Sequence, residues 1–216
     1  MNRKDEVNEI CLKVFGKVSA AVSHELKNTL SIINENAGLL DDFAAMAEQQ
    51  GGMEPQRVKT AASTIMRQVS RSNIIIQNLN RYAHSGDSPI SQADLNEVLS
   101  LVVALTARHA AMKNIKVDYT CPANLKVQTH LLSLESLLYL ILCRLYVASA
   151  EGSMVHLETV AVPQGVMIHL DQGCESFVPE EYHNTEVNVL AEHIGASLVK
   201  ERNKLSLILP LKNNGV

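Results

Sequence analysis

The 216-residue chain has no tryptophan, three phenylalanines and five tyrosines. So little aromatic surface leaves few rings on which single-stranded bases could stack. Positive charge is not in excess either: 19 Lys and Arg stand against 23 Asp and Glu, a formal net charge of −4. That balance lacks the basic footprint of a nucleic-acid binder. The four cysteines, Cys11, Cys121, Cys143 and Cys174, are far apart and form no Cys-x-x-Cys pair. This argues against a structural zinc or a disulfide scaffold and for reduced thiols. The longest apolar run, residues 137–143, stops at Arg144 and is too short to span a bilayer. The charged start, Met1-Asn2-Arg3-Lys4-Asp5-Glu6, leads into no secretory segment. A cytoplasmic location is the expectation.

What the chain does have is apolar residues, 46% of the total, arranged in helical periods. Phe15, Val18, Val22, Leu26, Leu30, Ile33, Ala37, Leu40 and Ala44 recur at spacings of three and four and predict a long packed helix. It ends near Gln49-Gln50-Gly51-Gly52, where paired glycines favour a turn. A second helix starts at Pro55, with Val58, Ala62, Ile65, Val69, Ile76, Leu79 and Ala83 as its stripe, and Ser85-Gly86-Asp87-Ser88-Pro89 breaks it. Residues 1–87 thus read as a helical hairpin. One stripe per helix cannot close a core. Pairing two hairpins into a four-helix bundle would bury both stripes, so a homodimer is expected.

Within the first helix, Ser23-His24-Glu25-Leu26-Lys27-Asn28 stands out. His24 is two residues from both Val22 and Leu26, roughly 200° around the helix from each, so it faces away from the stripe. Asn28 is one turn along on the same face, and Glu25 is adjacent. An imidazole in the open beside a carboxylate suits nucleophilic chemistry, because a ring nitrogen can attack phosphorus while the carboxylate orients the ring or takes its proton. The bland alternative is a solvated histidine on a charged face.

Residues 90–216 change character to mixed α and β. The pattern predicts a helix over 94–109 capped by Asp94, short strands at 116–119 and 125–128, and a strongly apolar helix over 131–150. A hairpin of strands at 154–160 and 166–170 turns at Pro163-Gln164-Gly165. A helix over 187–199 and a strand at 205–209 follow. The fold class is α+β: a helical hairpin, then an α/β sandwich.

His24-Glu25-Leu26-Lys27-Asn28, with Leu30 and Ile33, resembles the phosphoacceptor motif of bacterial two-component histidine kinases. The resemblance implies that His24 carries a phosphoryl group, that Glu25 assists transfer, and that Asn28 places a water for dephosphorylation of the partner. The family usually has proline next; here it is Thr29, which removes a helix bend but no reacting group. A sensor kinase normally carries an input domain ahead of this helix, and the motif's place near the start predicts none here. Asp94-Leu95-Asn96-Glu97-Val98-Leu99, the hairpin from Glu151 to Ile168, and Leu205-Ser206-Leu207-Ile208-Leu209-Pro210 resemble the family's ATP-binding domain.

By that resemblance the Mg²⁺-holding asparagine falls at or near Cys143, and a neutral thiol is a poor ligand for a hard cation. The family's Asp-x-Gly-x-Gly reads Asp171-Gln172-Gly173-Cys174-Glu175, with a carboxylate where the second glycine should be. From Pro179 through His183 to Thr185 the connection is short and lacks the glycines of a phosphate-wrapping turn. Cys143, Asp171 and Gly173 are thus degenerate remnants, and no cofactor is expected.

A phosphoacceptor joined to a domain without nucleotide binding resembles the dimeric histidine phosphotransferases of phosphorelays. The resemblance implies transfer between receiver-domain aspartates of response regulators, a receiver-bearing hybrid kinase among the candidate partners, with the receiver supplying Mg²⁺. Lys27 would lie near the partner or the phosphoryl oxygens, or would simply be solvated. The alternatives are an aspartyl-phosphate phosphatase using Glu25 and Asn28, a non-catalytic pseudokinase or binding module, and an active kinase with an unusual nucleotide site.

No metal site is expected. His84, His109, His130, His156, His169, His183 and His193 form no His-x-x-x-His pair, and His156 and His169 suit a cross-strand surface pair. Ser19, Ser23 and Ser31 lack a Gly-x-Ser-x-Gly context, and Cys174 has no activating cation beside it.

Overall fold

A computed structural model describes residues 2–50, 54–171, 185–200 and 204–210. The elements in chain order are α1 (Arg3–Gln50), α2 (Pro55–His84), β1 (Ser91–Asp94), α3 (Leu95–Ala111), β2 (Lys116–Thr120), β3 (Lys126–Thr129), α4 (Leu131–Ala148), β4 (Met154–Val162), β5 (Gly165–Asp171), α5 (Thr185–His193), β6 (Ser197–Lys200) and β7 (Lys204–Pro210). The fold is α+β. Two compact units are present, Ser19–Asn80 and Met1–Val18 with Arg81–Val216.

In the larger unit a five-stranded sheet has the order β2-β4-β5-β7-β6, and β1 pairs with β3 in a small separate ribbon. β2 and β4 are parallel and the other pairs antiparallel. Strict alternation puts Val155, Leu157, Val166, Ile168, Leu170, Leu205, Leu207 and Leu209 on the buried face, the pattern of a sheet covered on one side. α4 packs between α3 and α5. By length and mean hydropathy (1.7 over 18 residues) α4 would pass for a membrane span, yet most of its side chains are buried in this core.

The N-terminal part of α1 belongs to the same unit. Val7, Ile10, Val14 and Val18 are buried, and the Phe15 ring stacks on Tyr82 with centroids 6.1 Å apart. The Tyr82 hydroxyl shares a 2.8 Å hydrogen bond with Ser136, and the Tyr146 hydroxyl one of 3.1 Å with Thr106. A buried phenol needs such a partner.

Local signals account for most boundaries. Asp94 caps α3, its carboxylate accepting the Asn96 N–H at 3.0 Å, as capping chemistry requires. α4 ends at Ala148, two residues before the predicted stop, and the N–H and hydroxyl of Ser149 both donate to the Leu145 carbonyl. The helix expected over 187–199 is corrected: it stops at His193, and 197–200 is strand β6. Gly195 at φ 67° closes it, and the Ala196 N–H donates to the Ala191 carbonyl at 2.8 Å, a glycine C-terminus of the left-handed kind. The turn proposed at Gly51-Gly52 lies outside the described residues.

The β4–β5 turn depends on Gly165, which sits opposite Val162. A Cβ built there would run into the Leu209 carbonyl of the neighbouring strand, and backbone cannot step aside. Gly165→Ala is expected to destabilise the protein by more than about 2 kcal/mol, read as a lowered urea midpoint. An unchanged midpoint would mean that β7 is free to shift.

Candidate functional site

The smaller unit carries the predicted phosphoacceptor segment. α1 turns His24, Lys27 and Asn28 to solvent and leaves Glu25 half-buried. His24 makes no hydrogen bond or ion pair among the described residues. One turn on, the Asn28 amide occupies the same helix face. The Glu25 carboxylate accepts a hydrogen bond from the Arg71 guanidinium at 3.2 Å. Such a partly exposed ion pair adds little stability, but it fixes the carboxylate on the α2 side of His24.

Thr29 is 1% exposed. Its hydroxyl lies 2.9 Å from the Leu26 carbonyl, to which it donates, and 2.9 Å from the Ser72 hydroxyl. Where the resemblance led one to expect a helix-bending proline, this chain places a polar tie between α1 and α2. The α1 stripe is accordingly rotated from the predicted one. Val22 and Thr29 are buried, whereas Leu30 is 58% exposed. Neither Arg71 nor Ser72 is visible from the motif, because each meets it across more than forty residues.

Of the three residues that the resemblance reads as nucleotide-site remnants, Cys143 and Asp171 lie among the described residues. Cys143 lies on α4, and burial pushes its thiol up to about 11, with the nearby Tyr139 hydroxyl, Lys17 and Arg144 pulling the other way. It is protonated at neutral pH and offers no thiolate. Asp171 ends β5 opposite His156 and Lys204, and its carboxylate is 3.7 Å from the Lys204 ammonium. Gly173 lies outside the described residues, as do Gln172, Cys174, Glu175, Pro179 and His183.

The histidines distribute differently from the sequence-based expectation. His156 and His169 do not pair: His156 is opposite Asp171 and bonds Asp118 at 2.6 Å. His169 is opposite Glu158 and bonds Ser206 at 2.8 Å. An offset of two residues in register separates them. His130 and His193, unremarkable in the sequence, have ring centroids 4.5 Å apart. Among the described residues no three His, Cys, Asp or Glu side chains gather as a metal site.

No protein-family model matches the chain, and no curated protein sequence does. Solved structures do. Two nucleotide-free crystal forms of the catalytic domain of histidine kinase ThkA each match at a TM-score of 0.50 and 15% identity, over 59% of this chain and all of theirs. The chain contains a fold like that of a histidine-kinase catalytic domain. At that identity the likeness is one of fold. ThkA in complex with the response regulator protein TrrA also matches, over 97% of this chain and 64% of that one, at 16% identity and a TM-score of 0.47.

Proposed function

We propose that this protein is a histidine phosphotransferase of a phosphorelay, passing a phosphoryl group between receiver-domain aspartates through His24 and binding no ATP. The observation that carries the reading is the arrangement on α1: an exposed imidazole, flanked by a carboxylate that accepts a hydrogen bond from Arg71. Residues 1–87 would form the phosphoacceptor and dimerisation hairpin and residues 90–216 a degenerate nucleotide domain that helps select receivers.

The chemistry balances without a nucleotide. The lone pair of one His24 ring nitrogen attacks the phosphorus of a receiver's aspartyl phosphate. A P–N bond forms, the P–O bond to the acyl oxygen breaks, and the receiver's carboxylate leaves with the electron pair. The second ring nitrogen releases its proton to Glu25 or to water. Transfer to the next receiver runs the same step backwards. Mg²⁺ held by the receiver would neutralise charge on the phosphoryl oxygens.

Self-association is part of the proposal. Among the described residues of the smaller unit only Val22, Thr29, Ala61 and Gln68 are buried, while Leu30, Met66, Val69 and Ile76 stay exposed. Met66, Val69 and Ile76 follow at spacings of three and seven, the seam of a helix that meets another helix. A second hairpin would cover them.

The test mixes the protein, without ATP, with receivers phosphorylated by a small acyl phosphate. Acid-labile, base-stable phosphate is expected on this chain. Receivers that keep all their phosphate, with none appearing here, would reject the reading. Exposure of Asn28 beside His24 favours one second activity, water-driven hydrolysis of the receiver's acyl phosphate. Asn28→Ala is expected to slow receiver dephosphorylation at least about tenfold and to change phosphohistidine formation less than about twofold. Equal loss of both would remove the separate water-positioning role.

A further inference from the structure

Along α4, Tyr139, Cys143 and Val147 follow at four-residue spacing, with Leu140 and Arg144 beside them. With His109 of α3 and Lys17 of α1 they line a cavity of about 490 Å³, a size at which small-molecule sites are common. All belong to the larger unit.

The lining carries one kind of charge. Lys17 and Arg144 are cationic, and none of the lining residues among those described is acidic. Arg144 also bonds Glu186 at 3.4 Å; Lys17 makes no ion pair among the described residues. The remaining lining residues are Leu140 and Val147, the rings of Tyr139 and His109, and the Cys143 thiol.

Two polar atoms of this lining are buried with no hydrogen-bond partner among the described residues, the Tyr139 hydroxyl and His109 Nδ1. Tyr139 is 1% exposed. The Cys143 thiol near it is too weak a partner to satisfy a phenol. The His109 ring meets the Tyr139 ring edge-on at 6.0 Å. Burial, with the Arg108 charge adding to it, lowers the His109 pKa, so the ring is neutral at pH 7 and Nδ1 is a plain donor or acceptor. Polar atoms left in this state are uncommon in finished cores and are satisfied when something polar arrives.

We propose that the cavity binds a small organic anion with a flat apolar body, its carboxylate or phosphate group held by Lys17 and Arg144 and its body lying on Leu140, Val147 and the Tyr139 ring. A magnesium nucleotide is not the ligand this lining fits. The thiol of Cys143, protonated and partly buried, gives Mg²⁺ no oxygen to bind. The lining includes none of His24, Glu25 and Asn28, and its test involves no phosphoryl transfer.

The full-length protein is titrated with 1-anilinonaphthalene-8-sulfonate, an anion with an apolar body, and with uncharged N-phenyl-1-naphthylamine. Saturable binding of one sulfonate dye per protomer is expected, at least about tenfold tighter than the uncharged dye. Lys17→Glu, an exposed position, and Val147→Trp, which fills the cavity, should each weaken it about tenfold or more. Lys59→Glu on the hairpin should leave it unchanged. Benzoate or phenyl phosphate should displace the dye, and the stronger competitor identifies the anionic group. Dye binding indifferent to both cavity variants would place the dye on exposed helix faces and overturn the proposal. So would equal affinity for the uncharged dye, or displacement by Mg-ATP well ahead of phenyl phosphate.

Discussion

Replacing His24 by alanine is expected to remove every trace of transferable phosphate from this protein, a fall of at least about 10³-fold in labelling, while leaving the fold intact. The side chain is exposed and makes no contact that holds the helix together, and alanine is the best helix former. Stability should therefore change by less than about 0.5 kcal/mol. The two measurements are made together: label transfer from a phosphorylated receiver, and a urea midpoint. Full labelling of the alanine variant would move the phosphoacceptor elsewhere and end the phosphotransfer proposal. Lost labelling with a lowered midpoint would show instead that His24 has a structural part. Arg71→Ala is the graded companion, since it frees Glu25 without touching the nucleophile and should slow transfer without abolishing it.

The second large effect concerns stability. Glu135, on α4, is 3% exposed, and its Oε2 has no hydrogen-bond partner among the described residues. The nearby Ser85 hydroxyl gives its own proton to the Arg81 carbonyl at 3.0 Å, so it is better placed to accept from a protonated carboxyl than to donate to a carboxylate. Burial pushes the Glu135 carboxyl up to about 7, with Ser85 and the Arg81 charge offsetting part of the rise. The folded pKa is thus raised above the ordinary value near 4.5. The neutral form is tolerated, and the stability it permits is fully present below about pH 4.5 and lost as pH rises through 7. A shift of this size corresponds to about 3 kcal/mol.

Glu135→Gln keeps the shape and a donor for Ser85 but cannot ionise. It should match the wild type near pH 4.5 and exceed it by about 2–3 kcal/mol at pH 8. Burial also lowers the pKa of His109, His130 and His193. Those groups act in the opposite sense, removing stability as pH falls. The readout is therefore the difference between variant and wild type at each pH, from urea unfolding. A difference that stays flat from pH 4.5 to 8 would mean that water or a cation reaches Glu135.

Much of this was legible from residue order because the responsible physics is local. Asp94 caps α3 through the N–H two residues on, and the β4–β5 hairpin shows itself as two strand-forming runs on either side of the Pro163-Gln164-Gly165 turn. The exposure of His24 follows from helical period alone. What was missed depends on distant partners. β1 contains no β-branched residue and exists through its pairing with β3, Ala93 opposite Val127. β6 was read as helix because Leu198 and Val199 continue an apolar spacing that Gly195 interrupts. Arg71 reaches Glu25 from the other helix. Glu135 falls inside an apolar helix, where sequence shows a lone acid without showing what surrounds it. The cavity needs three segments, residues 17, 109 and 139–147, that nothing in the linear order connects.

The sheet order described above leaves β2 and β6 at the edges, and both are poor templates. They are five and four residues long, and each has a lysine at one end, Lys116 and Lys200. Short, charged borders of this kind resist the addition of a stranger's strand. Strand addition at the described sheet edges is therefore disfavoured relative to the hairpin pairing proposed here. Under the proposed self-association, a second copy would meet this one along the apolar flank of α2.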